Sequence, residues 1–356
     1  MQFPTFAVLA SIMVAGASAQ ATYETANYLS VCQQGTNLFC TGNTNVCQKG
    51  KTDTFDATAT KANEDACKNR KRGDSCTQTL RSAKMASTQA RSLHGKVAIV
   101  TGGSRGIGAA IAVELGKRGA NVVITYVSEN SVSVAQNVVN SVKALGNGAV
   151  AVAVRADMSS PDSPARIIEA TVKAFGEHID ILVNNAGITS KLPVSEVTPA
   201  NFQESIDVNL KGPFFMSQAV IPHLRRPGRI INITSVAARG GYASASLYLA
   251  SKAGLEGLTR ALAAELGPAG HTVNAVEPGV TETDMARDSG ASEAHGEHVK
   301  MIVAMTPYEN RMGKPEDVAS VVAMLAEEQA NWVTGQTISA SGGFSMLNRR
   351  GSRLLV

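Results

Sequence analysis

Beyond Cys76 the sequence contains no cysteine, and its five thiols, Cys32, Cys40, Cys47, Cys67 and Cys76, crowd into the first quarter of 356 residues. None forms a C-x-x-C pair, which argues against zinc and for disulfides, with one odd thiol left over. Aromatic side chains make up only 4%, too few for a base-stacking platform. The net charge of +4 is small and is not gathered into a stripe, so the sequence points away from nucleic acid as a partner. No membrane span is expected: the apolar run 6–17 falls short of the roughly 18 residues that a crossing helix needs. Hydrophobic residues at 44% are ample for one large core or two unequal ones.

That short apolar run is followed by Ala17-Ser18-Ala19, the form of a secretory signal with a small-residue cleavage site, although no basic residue precedes it. Residues 1–19 are therefore expected to be a signal peptide, with a buried helix as the alternative. Residues 20–84 are polar, rich in Thr, Asn and Lys, and carry no helical or strand period. They read as a small disulfide-stapled module or a linker, with a short helix and a turn at Gly73-Asp74 within Asn63 to Cys76. At Met85 the character changes, and residues 85–346 read as one domain followed by a tail, 347–356.

Within that domain, near-continuous Val/Ile runs alternate with helix-length segments. Strands are predicted at Val97 to Val100, Asn121 to Thr125, Ala149 to Val154, Ile179 to Val183, Arg229 to Ile233, Thr272 to Val276 and Thr337 to Ser339. Continuous apolar runs mark strands covered on both faces. The expected fold is α/β, a single doubly wound parallel sheet with helices on both faces and a ligand crevice beyond the strand carboxyl ends.

The first predicted strand runs into "VTGGSRGIG", Val100 to Gly108, just where a helix begins. Gly102, Gly106 and Gly108 let backbone N–H groups approach a phosphate at the helix N-terminus, and Ser104, Arg105 and Ile107 complete the turn. Further on, Tyr248 and Lys252 of "YLASK" stand four apart and so share a helix face. A phenol near pKa 10 is a poor acid–base group at neutral pH, and lowering it by about three units takes roughly 4 kcal/mol. An ammonium about 4 Å away supplies energy on that order at an effective dielectric near 20. Ser235 closes the strand "RIINITS", where its hydroxyl is suited to hydrogen-bond a carbonyl as charge develops on oxygen.

With "NNAG", Asn184 to Gly187, and Pro278-Gly279 added, the chain from Leu93 to Met346 resembles the short-chain dehydrogenase/reductase family. The pattern is most similar to 3-oxoacyl-carrier-protein reductases and to ketoreductases of secondary metabolism. The resemblance implies a Rossmann-type fold and a catalytic set of Asn209, Ser235, Tyr248 and Lys252, with Asn209 of "VNLKG" holding a water that relays protons toward Lys252. The family's serine lies thirteen positions before its tyrosine, as Ser235 does before Tyr248.

The same resemblance assigns Asp157 to the adenine side and Asn184, Ala186 and Gly187 to a cofactor-facing turn. Pro278, Gly279, Thr281 and Thr283 of "PGVTET" would contact the nicotinamide and its phosphates. Members that use NAD usually carry a carboxylate at the end of the second strand, where this chain has Tyr126. With nothing there to repel a 2′-phosphate, and with Arg105 available to pair with it, helped by Ser104 or Ser128, the expected cofactor is NADP(H), and NADPH for reduction.

The expected activity is reduction of a ketone to a secondary alcohol, possible substrates being 3-oxoacyl or polyketide-like compounds, with alcohol oxidation as the alternative. The segment Asp284 to Arg311 falls where the family places a substrate lid. His295 and His298 lack a further ligand, so no metal is expected, and His178 and His223 read as surface residues without partners. A homodimer or homotetramer is expected, with contacts on the helices around Asn201 to Leu224 and Leu247 to Leu266.

Residues 1–84, by contrast, resemble small secreted cysteine-rich proteins such as those of fungi. The two halves imply different compartments, secretory by the signal peptide and cytoplasmic if the reductase begins near Met85. The joined sequence reads either as a true fusion or as a chimeric reading frame, and a secreted binding protein carrying an idle reductase is the rival from another class.

Overall fold

In the computed structural model, seven short runs of Val, Ile, Leu and Ala line up as one sheet. The structure describes residues 91–288 and 296–346, together with the backbone of four short strands at 23–31, 38–40, 47–49 and 75–83. The chain divides into two compact units, Met1–Thr88 and Gln89–Val356. The expected signal peptide, the Gly73-Asp74 turn and the tail at 347–356 lie outside the described residues, as do the side chains of all five cysteines.

In the first unit, Tyr23–Val31 pairs antiparallel with Ser75–Ala83, and Leu38–Cys40 pairs with Cys47–Lys49. The sequence showed no strand period there. The backbone ladder supplies the reason, because main-chain hydrogen bonds hold such a pair without requiring alternating apolar side chains.

The second unit carries strands β1 (Val97–Val100), β2 (Asn121–Tyr126), β3 (Ala151–Arg155), β4 (Ile179–Asn184), β5 (Leu224–Ile233), β6 (Thr272–Pro278) and β7 (Thr337–Ala340). All pair in parallel, in the order β7-β6-β5-β4-β1-β2-β3. The switch in strand order falls between β1 and β4, where a doubly wound sheet opens its crevice. Each predicted strand is present. β5 starts five residues earlier than the apolar pattern indicates, because Pro227 and Gly228 interrupt the pattern without ending the strand. The ladder shifts register between Ile179 and Ile181 opposite this segment, which spares Pro227 from having to donate a hydrogen bond.

Helices α1 (Gly106–Lys117), α2 (Val132–Lys143), α3 (Ser163–Phe175), α4 (Pro199–Ile206), α5 (Gly212–Val220), α6 (Ser246–Leu266), α7 (Asp284–Asp288), α8 (Gly296–Met305) and α9 (Pro315–Ala326) complete the unit. Strand alternation splits the core in two. Ala98, Val100, Val122, Ile124, Ile181 and Val183 face Ile111, Leu115, Val138 and Val322 of α1, α2 and α9. Ile99, Val123, Leu182 and Ile230 face Ile167, Met216 and Leu262 of α3, α5 and α6. Burying each such side chain contributes about 1.5–3 kcal/mol. Among the described residues, no helix is long and apolar enough to cross a membrane.

Candidate active site

The glycine turn after β1 is built by contact with the turn after β4. Thr101 Oγ1 accepts the N–H groups of Asn185 and Ala186, both at 3.0 Å, and Gly102 N–H donates to Thr125 Oγ1 at 2.9 Å. Gly102 has φ +61°, and a Cβ there would lie 2.9 Å from Ala186 Cα. A Cβ on Gly108 would meet the Gly102 carbonyl at 2.3 Å and Asn185 Nδ2 at 2.5 Å. These two glycines therefore permit the close approach of α1 to both turns. No side chain caps the first turn of α1, so the N–H groups of Gly106, Ile107 and Gly108 keep the capacity to hold an anion. That cradle fits the pyrophosphate of a dinucleotide.

Asn184 lies deep in the fold. It ends β4 with 2% of its surface exposed, and its Nδ2 donates to Asn232 Oδ1 at 2.8 Å and Ser217 Oγ at 3.2 Å. Its side chain ties β4 to β5 and α5. Asn185, one residue on and on the opposite face, holds the glycine turn instead: its Nδ2 donates to the carbonyls of Thr101 at 2.9 Å and Gly102 at 3.1 Å.

Tyr126 stands half-buried at the end of β2, packed against the core. Ser104 is buried while Ser128 is exposed, the latter sharing a 2.9 Å hydrogen bond with Ser131. The Arg105 guanidinium lies 3.6 Å from Asp284 at the start of α7, so it is already partnered by a carboxylate. Asp157 is exposed after β3 and accepts from the Ser159 amide at 2.9 Å.

After β6, Pro278 and Gly279 pass so close to β7 that a Cβ on Gly279 would lie 2.9 Å from Ser341 Cα. Thr281 and Thr283 donate their hydroxyls to the carbonyls of Gly279 and Thr281, at 3.0 and 3.3 Å. A Cβ on Gly106 would meet Thr283 Cγ2 at 3.2 Å, which brings this loop onto the glycine turn. A cleft of about 390 Å³ beside Gly106 is walled by Thr283, Asp284 and Arg287 and reaches none of Ser235, Tyr248 and Lys252. Of the expected lid, α7 and α8 are described; His295 lies outside the described residues, as does the side chain of His298. His178 is exposed. His223 has a partner after all, its Nδ1 lying 3.5 Å from a Glu177 carboxylate oxygen.

Ser235 follows β5, and its Oγ accepts the Ala237 amide at 3.2 Å. That hydroxyl is also near enough to the Tyr248 phenol to pull its pKa down. On α6, one turn on from Tyr248, Lys252 is 4% exposed and donates to the Ile233 carbonyl at 2.9 Å. Asn209 is fully buried in a turn of π-helix, Asp207–Lys211, that separates α4 from α5. Its Oδ1 accepts the Ile188 amide at 2.8 Å, and its Nδ2 donates to the Ile188 carbonyl at 2.9 Å and Ser251 Oγ at 3.0 Å. Gly187 joins the group: a Cβ there would lie 3.2 Å from both Asn209 Oδ1 and Lys252 Nζ. Thus Gly187, Asn209, Ser235, Tyr248 and Lys252, from four separate segments, converge beyond the ends of β4 and β5.

Burial is the largest influence on both titratable groups. Burial pushes the Tyr248 phenol up, and only the Ser235 hydrogen bond pulls it down. Burial also depresses Lys252, from 10.5 to about 8. The ammonium lies 5.9 Å from the centre of the Tyr248 ring, and both groups sit at a depth where desolvation disfavours their charged forms. Thr101, Thr125, Asn185 and Ser251 were missed, their only signal being small hydroxyl or amide residues at strand ends.

Residues 102–345 match the family model described as enoyl-(acyl carrier protein) reductase. Dehydrogenase OXI1 of Cochliobolus heterostrophus is 48% identical over 64% of this chain and 97% of its own length. Versicolorin reductase stcU of Emericella nidulans is 41% identical over 73% and 99%. The angucycline C-6 ketoreductase LanV, solved with bound NADP, superposes with a TM-score of 0.66 at 35% identity, over 71% of this chain and 97% of that one. By sequence and by fold, this chain belongs to the short-chain dehydrogenase/reductase family.

Proposed function

We propose that this protein is an NADP-dependent oxidoreductase that reduces a ketone to a secondary alcohol. The observation that carries the reading is the convergence of Ser235, Tyr248 and Lys252 beside Gly187, next to a glycine cradle suited to a pyrophosphate. NADPH, when bound, supplies the hydride for the carbonyl carbon. Ser235 orients the carbonyl oxygen, and Tyr248 Oη gives up its proton to that oxygen as the C–O π bond opens. The raised phenol is protonated at neutral pH, the form that can deliver a proton to the carbonyl oxygen. Lys252 then faces the phenolate left behind, and Asn209 holds the turn beside it.

Arg105 is the candidate partner of a 2′-phosphate, and Tyr126 leaves that space free of carboxylate. Asp157, Ala186, Gly187, Pro278, Gly279, Thr281 and Thr283 complete the proposed cofactor contacts. The versicolorin and ketoreductase relatives favour a polycyclic, polyketide-like ketone as substrate over a simple 3-oxoacyl thioester. Phe214 and Phe215, edge to face at 5.2 Å and both exposed, support a homo-oligomer contact on α5.

The reading is tested by following NADPH absorbance with polycyclic aromatic ketones and 3-oxoacyl thioesters. Saturable, ketone-dependent NADPH consumption is the expected result. Turnover confined to alcohols with NADP+, with no ketone reduced, would reverse the assigned direction.

A further inference from the structure

Ser235 sits at the mouth of a single 3-10 turn, Val236–Arg239, followed by Gly240 and Gly241. One such turn has little stability of its own, so something else must fix its place. Arg239 ends it, and the Nε of that guanidinium lies 3.2 Å from a Glu256 carboxylate oxygen and 3.8 Å from one of Glu277. Glu256 is one helical turn beyond Lys252 on α6, and Glu277 immediately precedes Pro278. We propose that Arg239 is a positioning residue: clamped between Glu256 and Glu277, it fixes the turn that carries Ser235 against the helix of Tyr248 and Lys252 and against the strand entering the Pro278-Gly279 loop.

The two carboxylates are 6% and 1% exposed, whereas the Arg239 side chain is 41% exposed. Two buried anions share one surface cation, and Oε1 of each glutamate has no hydrogen-bond partner among the described residues. An arrangement selected for stability alone would not keep this imbalance, because apolar side chains of similar volume pack there at lower cost. Burial and the neighbouring Glu256 hold the Glu277 carboxyl above the usual range, while Arg239 and a hydrogen bond with Ser345 act the other way. The surplus of acceptors keeps the guanidinium engaged, and with it the backbone four residues beyond Ser235.

The inference rests on the proposed roles of Ser235 and Tyr248, and its test separates the two. Arg239→Gln, Arg239→Lys and the charge-balanced Arg239→Gln/Glu277→Gln are compared with wild type and Tyr248→Phe for kcat, KM and NADPH affinity. Loss of the clamp is expected to lower kcat roughly ten- to a hundred-fold, as misplacement of a catalytic group does. KM and NADPH affinity should change far less, and lysine should recover part of the rate. The double variant keeps the wild-type net charge and removes the more deeply buried of the two carboxylates that loss of Arg239 leaves unpaired; it should fold yet stay slow. Wild-type kcat in the folded double variant, alongside an inactive Tyr248→Phe, overturns the positioning role. A fully active Tyr248→Phe overturns instead the reading of the site beneath it.

Discussion

Lys252 Nζ donates a 2.9 Å hydrogen bond to the carbonyl of Ile233 and lies 5.9 Å from the centre of the Tyr248 ring. Lys252 is thus anchored to the strand that leads to Ser235, two residues before it. Burial lowers its pKa from 10.5 to about 8. A lysine depressed in the folded state binds fewer protons there than in the unfolded chain, so stability rises with pH between those values; below about 8 both states hold the proton and the burial penalty is constant. From pH 7 to pH 10, the unfolding free energy of wild type relative to Lys252→Met should rise by about 2 to 3 kcal/mol. Urea unfolding of both proteins measures it, and a difference that does not change with pH contradicts the buried, depressed lysine.

Gly187→Ala places a methyl carbon 3.2 Å from both Asn209 Oδ1 and Lys252 Nζ. Neither can yield freely, since Asn209 is held by two bonds to Ile188 and Lys252 by Ile233. The variant should fold and lose about ten-fold or more in kcat through displacement of these groups. An unchanged kcat contradicts the convergence at this glycine.

Asn185→Ala removes both side-chain bonds to the Thr101 and Gly102 carbonyls. Leaving these acceptors unpaired should cost about 1–3 kcal/mol, read as a lower Tm, with weaker NADPH binding because the glycine turn loses its support. Asn184→Ala should also destabilise, through β4 and β5, but with a smaller effect on NADPH affinity. Equal weakening of NADPH binding by the two variants would remove the distinction between them.

That asparagine pair marks how far the sequence could be read. The strands, the glycine turn, and the register of Ser235, Tyr248 and Lys252 were legible because apolar runs and helical spacing act locally. Strand alternation puts Asn184 and Asn185 on opposite faces, yet which face meets the core depends on helices far away in sequence, so the part Asn185 plays in holding the glycine turn was not legible. The π-turn at Asn209 leaves no compositional signal. Nor does burial: the spacing that puts Tyr248 and Lys252 on one helix face says nothing of the depth that raises the phenol and lowers the amine. The clamp on Arg239 joins residues 239, 256 and 277 across three segments, beyond the reach of any local pattern.

Arg105 pairs with Asp284 at 3.6 Å, so a 2′-phosphate would compete with that carboxylate for the guanidinium. Arg105→Ala should weaken NADPH binding about ten-fold or more, in keeping with the loss of a charge-assisted bond, and leave NADH binding nearly unchanged. Asp284→Asn, by freeing the guanidinium, should tighten NADPH selectively. Titration by cofactor fluorescence measures both; equal effects on the two cofactors would contradict the role of Arg105.

The proposed function requires Tyr248 to deliver the proton during ketone reduction. Its most direct test compares wild type with Tyr248→Phe for ketone turnover and NADPH affinity in the same preparation. Turnover should fall by at least about a hundred-fold, the scale of a lost general acid, while NADPH affinity stays within about two-fold, a difference under about 0.5 kcal/mol. Substantial turnover by the phenylalanine variant, with NADPH still bound, would contradict it.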